Sequence, residues 1–133
     1  MNKKPAIVGN PKWPASNIEW RQTHSLLAYQ RNSRIHSDEQ VDQIAASMKE
    51  FGWTIPMLVD EDGIIIAGHG RAMAAAKLGI SEVPVMVAKG WTEAQKMAYR
   101  IADNRLPESA SWDTDMLRLE LTELGKMDFV GKS

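Results

Sequence analysis

The sequence predicts an α/β (α+β) fold in which a small mixed sheet is flanked by helices. Three observations predict it. Short apolar runs of strand length, at residues 56–59, 64–67 and 83–88, alternate with segments of helical period. Capping boxes open two of those segments, Ser37-Asp38-Glu39-Gln40 and Thr92-Glu93-Ala94-Gln95. Glycines at 52, 63 and 79 punctuate the boundaries between them. At 133 residues, 44% hydrophobic and 25% charged, the chain has the length and composition of one ordinary globular domain with its own core.

Taken in order, residues 1–17 are rich in Lys, Pro and Asn without periodicity and read as an irregular arm. Ile18, Trp20, Leu26 and Leu27 then suggest a short strand and a connecting turn. The first helix follows its Ser37 box, with Val41, Ile44, Ala45 and Met48 on one face and Gly52 as its stop. The runs at 56–59 and 64–67, joined by Asp60-Glu61-Asp62-Gly63, read as a β-hairpin. A second helix is expected from about Arg71 to Leu78, closed by Gly79, and residues 83–88 read as a buried strand. The third helix opens at Thr92, turns Ala94, Met97, Ala98, Ile101 and Ala102 toward the core, and ends by Pro107. A last helix begins near Asp113 and carries Leu117, Leu121 and Leu124. The expected organisation is an arm at 1–17, a domain at 18–106 and a helical extension at 107–133.

Composition removes whole classes of function. Without cysteine there are no disulfides, thiolate metal sites or cysteine nucleophiles. No apolar run reaches the ~20 residues of a membrane span, and no signal peptide follows the two lysines near the start. The expected address is cytoplasmic, with no membrane partner and no haem, flavin or zinc. Net charge is −1 but uneven: residues 1–37 carry six basic and one acidic residue, while 38–62 carry one and seven. Residues 63–106 carry six basic and three acidic, and 107–133 three and six. The two positive segments would make an anion-attracting face if brought together, and plain solvated surface if not.

The chemistry concentrates where Ile64-Ile65-Ile66-Ala67 runs into Gly68-His69-Gly70-Arg71 and an alanine-rich helix. Glycines let backbone approach a ligand, and the first amides of a helix point outward unsatisfied, which suits an anion. Arg71 opposes the helix dipole in the first turn, so bidentate phosphate recognition would explain its position. A plain strand–turn–helix with a surface arginine is the competing reading. His69 has the chemistry of a phosphate donor, an acid or base, a metal ligand or a polar loop residue; His24 and His36 show no spacing that completes a metal site with it. Asp103-Asn104 suits Mg²⁺, which takes few carboxylates and keeps substrate phosphates as ligands, and suits equally a helix C-cap beside Arg105. Arg31 and Arg34, in a polar loop before the first helix, suit a loop lying over a bound anion. Trp53 and Trp91 read as core or edge plugs.

Together these segments resemble a known family. Gln43-Ile44-Ala45-Ala46-Ser47-Met48, Phe51-Gly52, Pro56-Met57-Leu58-Val59, Ile66-Ala67-Gly68-His69-Gly70-Arg71 and Ala74-Ala75 are similar in order and spacing to the ParB N-terminal domain of the ParB/sulfiredoxin superfamily. Gly68-His69-Gly70-Arg71, Ala102-Asp103-Asn104-Arg105 and Trp112-Asp113 resemble the phage and prophage branch, often fused in front of a DNA methyltransferase. The resemblance implies a ParB/sulfiredoxin-like fold and a module for DNA modification or partition. It further implies a nucleoside triphosphate, CTP or ATP, held with Mg²⁺ at the Gly68, His69, Gly70, Arg71 turn and Asp103-Asn104, to which the loop arginines Arg31 and Arg34 are added on their own chemistry. Implied partners are DNA, directly or through another protein, a methyltransferase domain in cis or trans, and a second copy of the chain. In ParB the turn reads Gly-Glu-Arg-Arg, so Gly68 and Arg71 keep the pattern while His69 and Gly70 remove one positive charge. In sulfiredoxins the residue after the first glycine is the catalytic cysteine; His69 excludes that activity. A free serine kinase branch with histidines in this turn keeps an enzymatic alternative, an NTPase, nuclease or kinase using His69 or Asp103.

Overall fold

The alternation of strand-length and helix-length segments becomes one four-stranded sheet with helices on both faces. The computed structural model describes residues 17–29, 35–105 and 111–127. Arg31 and Arg34 lie outside the described residues. Strand β1 is Ile18–Gln22, followed by a single 3-10 turn at Thr23–Ser25. Helix α1 (Asp38–Phe51), β2 (Met57–Val59), β3 (Ile65–Ala67), α2 (His69–Leu78), β4 (Glu82–Val87), α3 (Glu93–Arg105) and α4 (Thr114–Lys126) follow. The sheet order is β1-β4-β2-β3. It is mixed, as expected: β2 runs parallel to β4, while β1–β4 and β2–β3 are antiparallel. No described helix is long and apolar enough to cross a membrane.

Side chains alternate across each strand, so the sheet carries two cores. Met57, Val59, Ile65, Val83, Val85 and Val87 face α1 and α2 and meet Val41, Ala45, Met48, Ala74 and Ala75. Leu58, Ile66 and Ala88 face the other way, packed by Met86 and Trp91. Trp53 and Trp91 are half-buried plugs against these two clusters. β1 is an edge strand, and its Ile18 and Trp20 stay largely exposed.

Two caps formed with different completeness. In α3, Thr92 Oγ1 accepts from the Gln95 amide while Gln95 Oε1 accepts from the Thr92 amide, so the box is reciprocal. In α1, Ser37 accepts from the Gln40 amide, but Gln40 Oε1 lies 3.1 Å from His36 Nδ1 instead of turning back to Ser37.

The expected inner face of α3 is reversed. Ala94, Met97, Ala98, Ile101 and Ala102 are exposed, and Lys96 and Arg100 are the residues buried against the sheet. Helical period alone cannot choose between two faces when one of them has ionic partners waiting. Those partners come from the β2–β3 turn. Asp60, 2% exposed, accepts from the amides of Asp62 and Ile64 through Oδ1 and from Lys96 Nζ at 3.1 Å through Oδ2. Lys96 also reaches Glu93 at 2.9 Å. Arg100 donates to the Ile65 carbonyl and stacks on the Tyr29 ring, 3.6 Å from its centroid. Helix α4 is amphipathic, capped by Asp113, and has no buried residue.

Burial works to raise the Asp60 pKa, but hydrogen bonds from Ile64, Lys96 and Asp62 outweigh it and hold the carboxyl below its ordinary value. Asp60→Ala should therefore cost about 3 kcal/mol at neutral pH, because it leaves a buried ammonium with only Glu93 as partner. A depressed carboxyl contributes stability above its unfolded pKa and loses it as pH falls through the folded value. The gap between wild type and variant, read from urea unfolding, should narrow below about pH 4.

Candidate functional site

The site begins with one backbone angle. Gly68 has φ +105°, and a β-carbon there would fall 2.7 Å from Met57 Cγ, a fully buried side chain. Only glycine turns the chain this sharply beside the sheet, and the turn lets α2 start at His69, two residues earlier than its periodicity suggested. No side chain caps this terminus. The first helical amides, from His69, Gly70 and Arg71, are thus of the kind an anion satisfies.

Around that turn lies a cavity of about 210 Å³ whose lining includes Gly68, His69, Gly70, Arg71, Asp103 and Asn104. These six candidates, two runs more than thirty residues apart in sequence, share one concave surface. Arg71 is half-buried in the third position of α2. Asp103 and Asn104 sit in the last turn of α3, brought there by the Arg100 and Lys96 anchors one and two turns earlier. α3 continues through Arg105, so both residues lie at the helix end and still within it. The Asp103 carboxylate accepts from Tyr99, whose pKa burial and this charge push up.

His36 also lines the cavity, together with Gln40 and Ile44 from α1. Sequence spacing did not find it, since His36 and His69 are joined by tertiary contact rather than period. The available signal was its place at the end of the polar loop that carries Arg31 and Arg34, directly before the α1 cap. Gly70 makes room for it: a β-carbon on Gly70 would meet Ile44 Cδ1 at 2.8 Å and His36 Cε1 at 3.1 Å. Among the described residues no cluster of three or more His, Cys, Asp or Glu is built to hold a metal ion.

The surroundings of His69 constrain its chemistry. Its Nε2 accepts from the Tyr29 backbone amide at 3.3 Å. An amide only donates, so the neutral ring keeps its hydrogen on Nδ1. Burial lowers the His69 pKa, and His36 and Arg100 add to the effect. A neutral imidazole with Nδ1 as donor suits hydrogen bonding to an anion better than proton shuttling through Nε2.

A sequence profile of the ParB N-terminal domain matches residues 18–105. The chain belongs to that family. It is 53% identical over 79 residues to the ParB-like nuclease domain-containing protein YnaK of Escherichia coli K12, covering 59% of this chain and 91% of YnaK. It is 33% identical over 75 residues to a probable chromosome-partitioning protein ParB of Treponema pallidum, covering 53% of this chain but 23% of that one. Among solved structures, Caulobacter crescentus ParB complexed with CTP-γ-S superposes with TM-score 0.64 at 22% identity, covering 74% of this chain and 57% of that one. Arabidopsis thaliana sulfiredoxin superposes with TM-score 0.53 at 21% identity, over 65% of this chain and 98% of its own. The fold is thus the ParB/sulfiredoxin fold, and against full-length partition proteins this ParB N-terminal domain spans only a part.

For this ParB-like domain, the imidazole of His69 should titrate below the ordinary value of about 6.5. Its ring nitrogen shifts should report the Nδ1–H tautomer. Heteronuclear NMR of the three histidines, assigned by His69→Gln, measures both.

Proposed function

We propose that this domain binds a phosphate-bearing ligand, a nucleoside triphosphate or a DNA phosphate, in the Gly68–Arg71 turn and serves DNA modification or partition machinery. The observation that carries this reading is the uncapped α2 terminus opening, with Arg71, into the cavity that Asp103 and Asn104 also line. Amides, a guanidinium and a neutral imidazole donor converge there, the donor set that phosphate oxygens require. Relatives of the same fold support the choice of ligand: one Caulobacter crescentus ParB structure is complexed with CTP-γ-S and another with the centromeric parS site. A free serine kinase of the same fold, in complex with AMP, superposes with TM-score 0.50.

One carboxylate and one amide fit Mg²⁺ only if ligand phosphates complete its shell, which is the ion's ordinary mode of binding. Asp103 and Asn104 would hold it at the mouth of α3, where it would offset phosphate charge. Arg31 and Arg34, a few residues before His36, are proposed as further contacts to the anion. The proposed partners are DNA, directly or through a methyltransferase domain in cis or trans as in the phage and prophage branch, and a second copy of the chain. A cytoplasmic location belongs to the same proposal.

A nucleotide panel titrated by calorimetry with Mg²⁺, followed by phosphate release, tests the reading. Binding without turnover is the expected result. Arg71→Ala should weaken that binding by about 1.5–3 kcal/mol, the scale of a charged hydrogen bond. Unchanged affinity would take Arg71 out of the site. Turnover that His69→Ala abolishes while binding persists would favour the enzymatic alternative. Weak, steeply salt-dependent DNA binding with no nucleotide affinity would leave DNA-backbone recognition.

A further inference from the structure

The chain that follows β1 starts to pair with β3 and then stops, and a buried arginine stands where the pairing stops. The Leu27 amide donates to the Gly63 carbonyl at 2.9 Å, and the Ile65 amide donates to the Leu27 carbonyl at 2.8 Å. Together they form a parallel bridge between Leu27 and Ile64. In a parallel ladder one strand bonds through alternate residues, so the next bond here would run from the Tyr29 amide to the Ile65 carbonyl. Both groups are engaged elsewhere. The Tyr29 amide donates to His69 Nε2 at 3.3 Å, and the Ile65 carbonyl accepts from Arg100 Nη2 at 3.4 Å. The same guanidinium covers the Tyr29 ring, with its Cζ 3.6 Å from the centroid.

Arg100 is a costly residue to keep in that position. It is 6% exposed, and among the described residues it forms no ion pair and its Nε has no hydrogen-bond partner. Desolvating a guanidinium offsets most of what one carbonyl and one ring return, so its net contribution to stability is small. The fold has a cheaper way to satisfy the Ile65 carbonyl, which is the Tyr29 amide itself. Resting on the phosphate reading above for what the imidazole then does, we propose that Arg100 is a positioning residue for His69. Arg100 is not among the residues that line the cavity. It acts from behind the cavity wall: by taking the Ile65 carbonyl and seating the Tyr29 ring, it diverts the Tyr29 amide out of the ladder and toward His69 Nε2. That bond fixes the imidazole with its hydrogen on Nδ1, the donor it offers to a ligand oxygen.

Heteronuclear NMR of the histidine rings in the full chain at pH 7.5, without ligand, reads the tautomer of His69, and hydrogen exchange reads the Tyr29 amide. Arg100→Met fills a similar volume without the donor or the charge. In that variant the Tyr29 amide should rejoin the Ile65 carbonyl and exchange more slowly, while the His69 ring relaxes to a mixture of tautomers. The urea midpoint should hold at or above the wild-type value. Arg100→Lys, which keeps a donor and a cation over the ring, should keep the tautomer. Tyr29→Leu should release the imidazole as Arg100→Met does, and the double variant should add nothing to either. Calorimetry with inorganic phosphate reads the consequence: Arg100→Met should weaken binding about threefold to tenfold, the worth of one neutral hydrogen bond. The same substitution should weaken His69→Gln no further. An unchanged His69 tautomer in Arg100→Met, additive effects of Arg100→Met and Tyr29→Leu, or a collapsed urea midpoint would overturn the assignment and leave Arg100 as an anchor of α3 alone. If wild type binds no phosphate, the phosphate reading fails, while the ligand-free spectra still decide the role of Arg100.

Discussion

The candidate site depends on how a buried strand becomes a helix within one residue. β3 ends at Ala67 and α2 begins at His69, so the direction of the chain changes at Gly68 alone. With φ at +105° and Met57 pressed against the place where a side chain would be, that position tolerates no other residue without strain. The turn places the uncapped terminus of α2 in the lining of the cavity beside the end of β3. Arg71 then arrives in the third helical position, where the dipole disfavours it and an anion would not.

A second constraint brings the opposite wall of the cavity into place. Helix α3 is held against the sheet by charges, not by its apolar stripe. Lys96 is drawn to Asp60, and Asp60 is in turn fixed by two amides of its own hairpin turn. Arg100 is fixed by the Ile65 carbonyl and the Tyr29 ring. Ionic anchors of this kind are directional, so they set the rotation of the helix about its axis more sharply than apolar contact would. That rotation decides whether Asp103 and Asn104 meet the α2 terminus or face away from it.

The same distinction explains what was legible in the sequence. Strands β2, β3 and β4 announced themselves by short apolar runs, and α1 by its Ser37 cap and its Val41, Ala45, Met48 stripe, because burial in this fold follows periodicity there. The Gly68–Arg71 turn was legible because glycines mark positions other residues cannot occupy. The inner face of α3 was not, since Met97, Ala98 and Ile101 mimic a core stripe and only the distant Asp60 reveals why Lys96 wins. α2 starts two residues earlier than its periodicity suggests, and the glycine at 70, inside its first turn, clears space for His36 and Ile44.

His36 shows where such reading runs out in physical terms. The arginines of the loop just before it suit an anion, but its neighbour Gln40 looks like the second half of a capping box. Tertiary structure gives Gln40 a different use, orienting an imidazole instead of closing a helix. Once that ring is oriented, its two nitrogens cease to be equivalent, and the same holds for His69 through the Tyr29 amide. Two residues of identical type therefore meet different hydrogen-bond partners within one cavity. The difference comes from one carbonyl and one amide, each supplied by an element remote in sequence from the anion site.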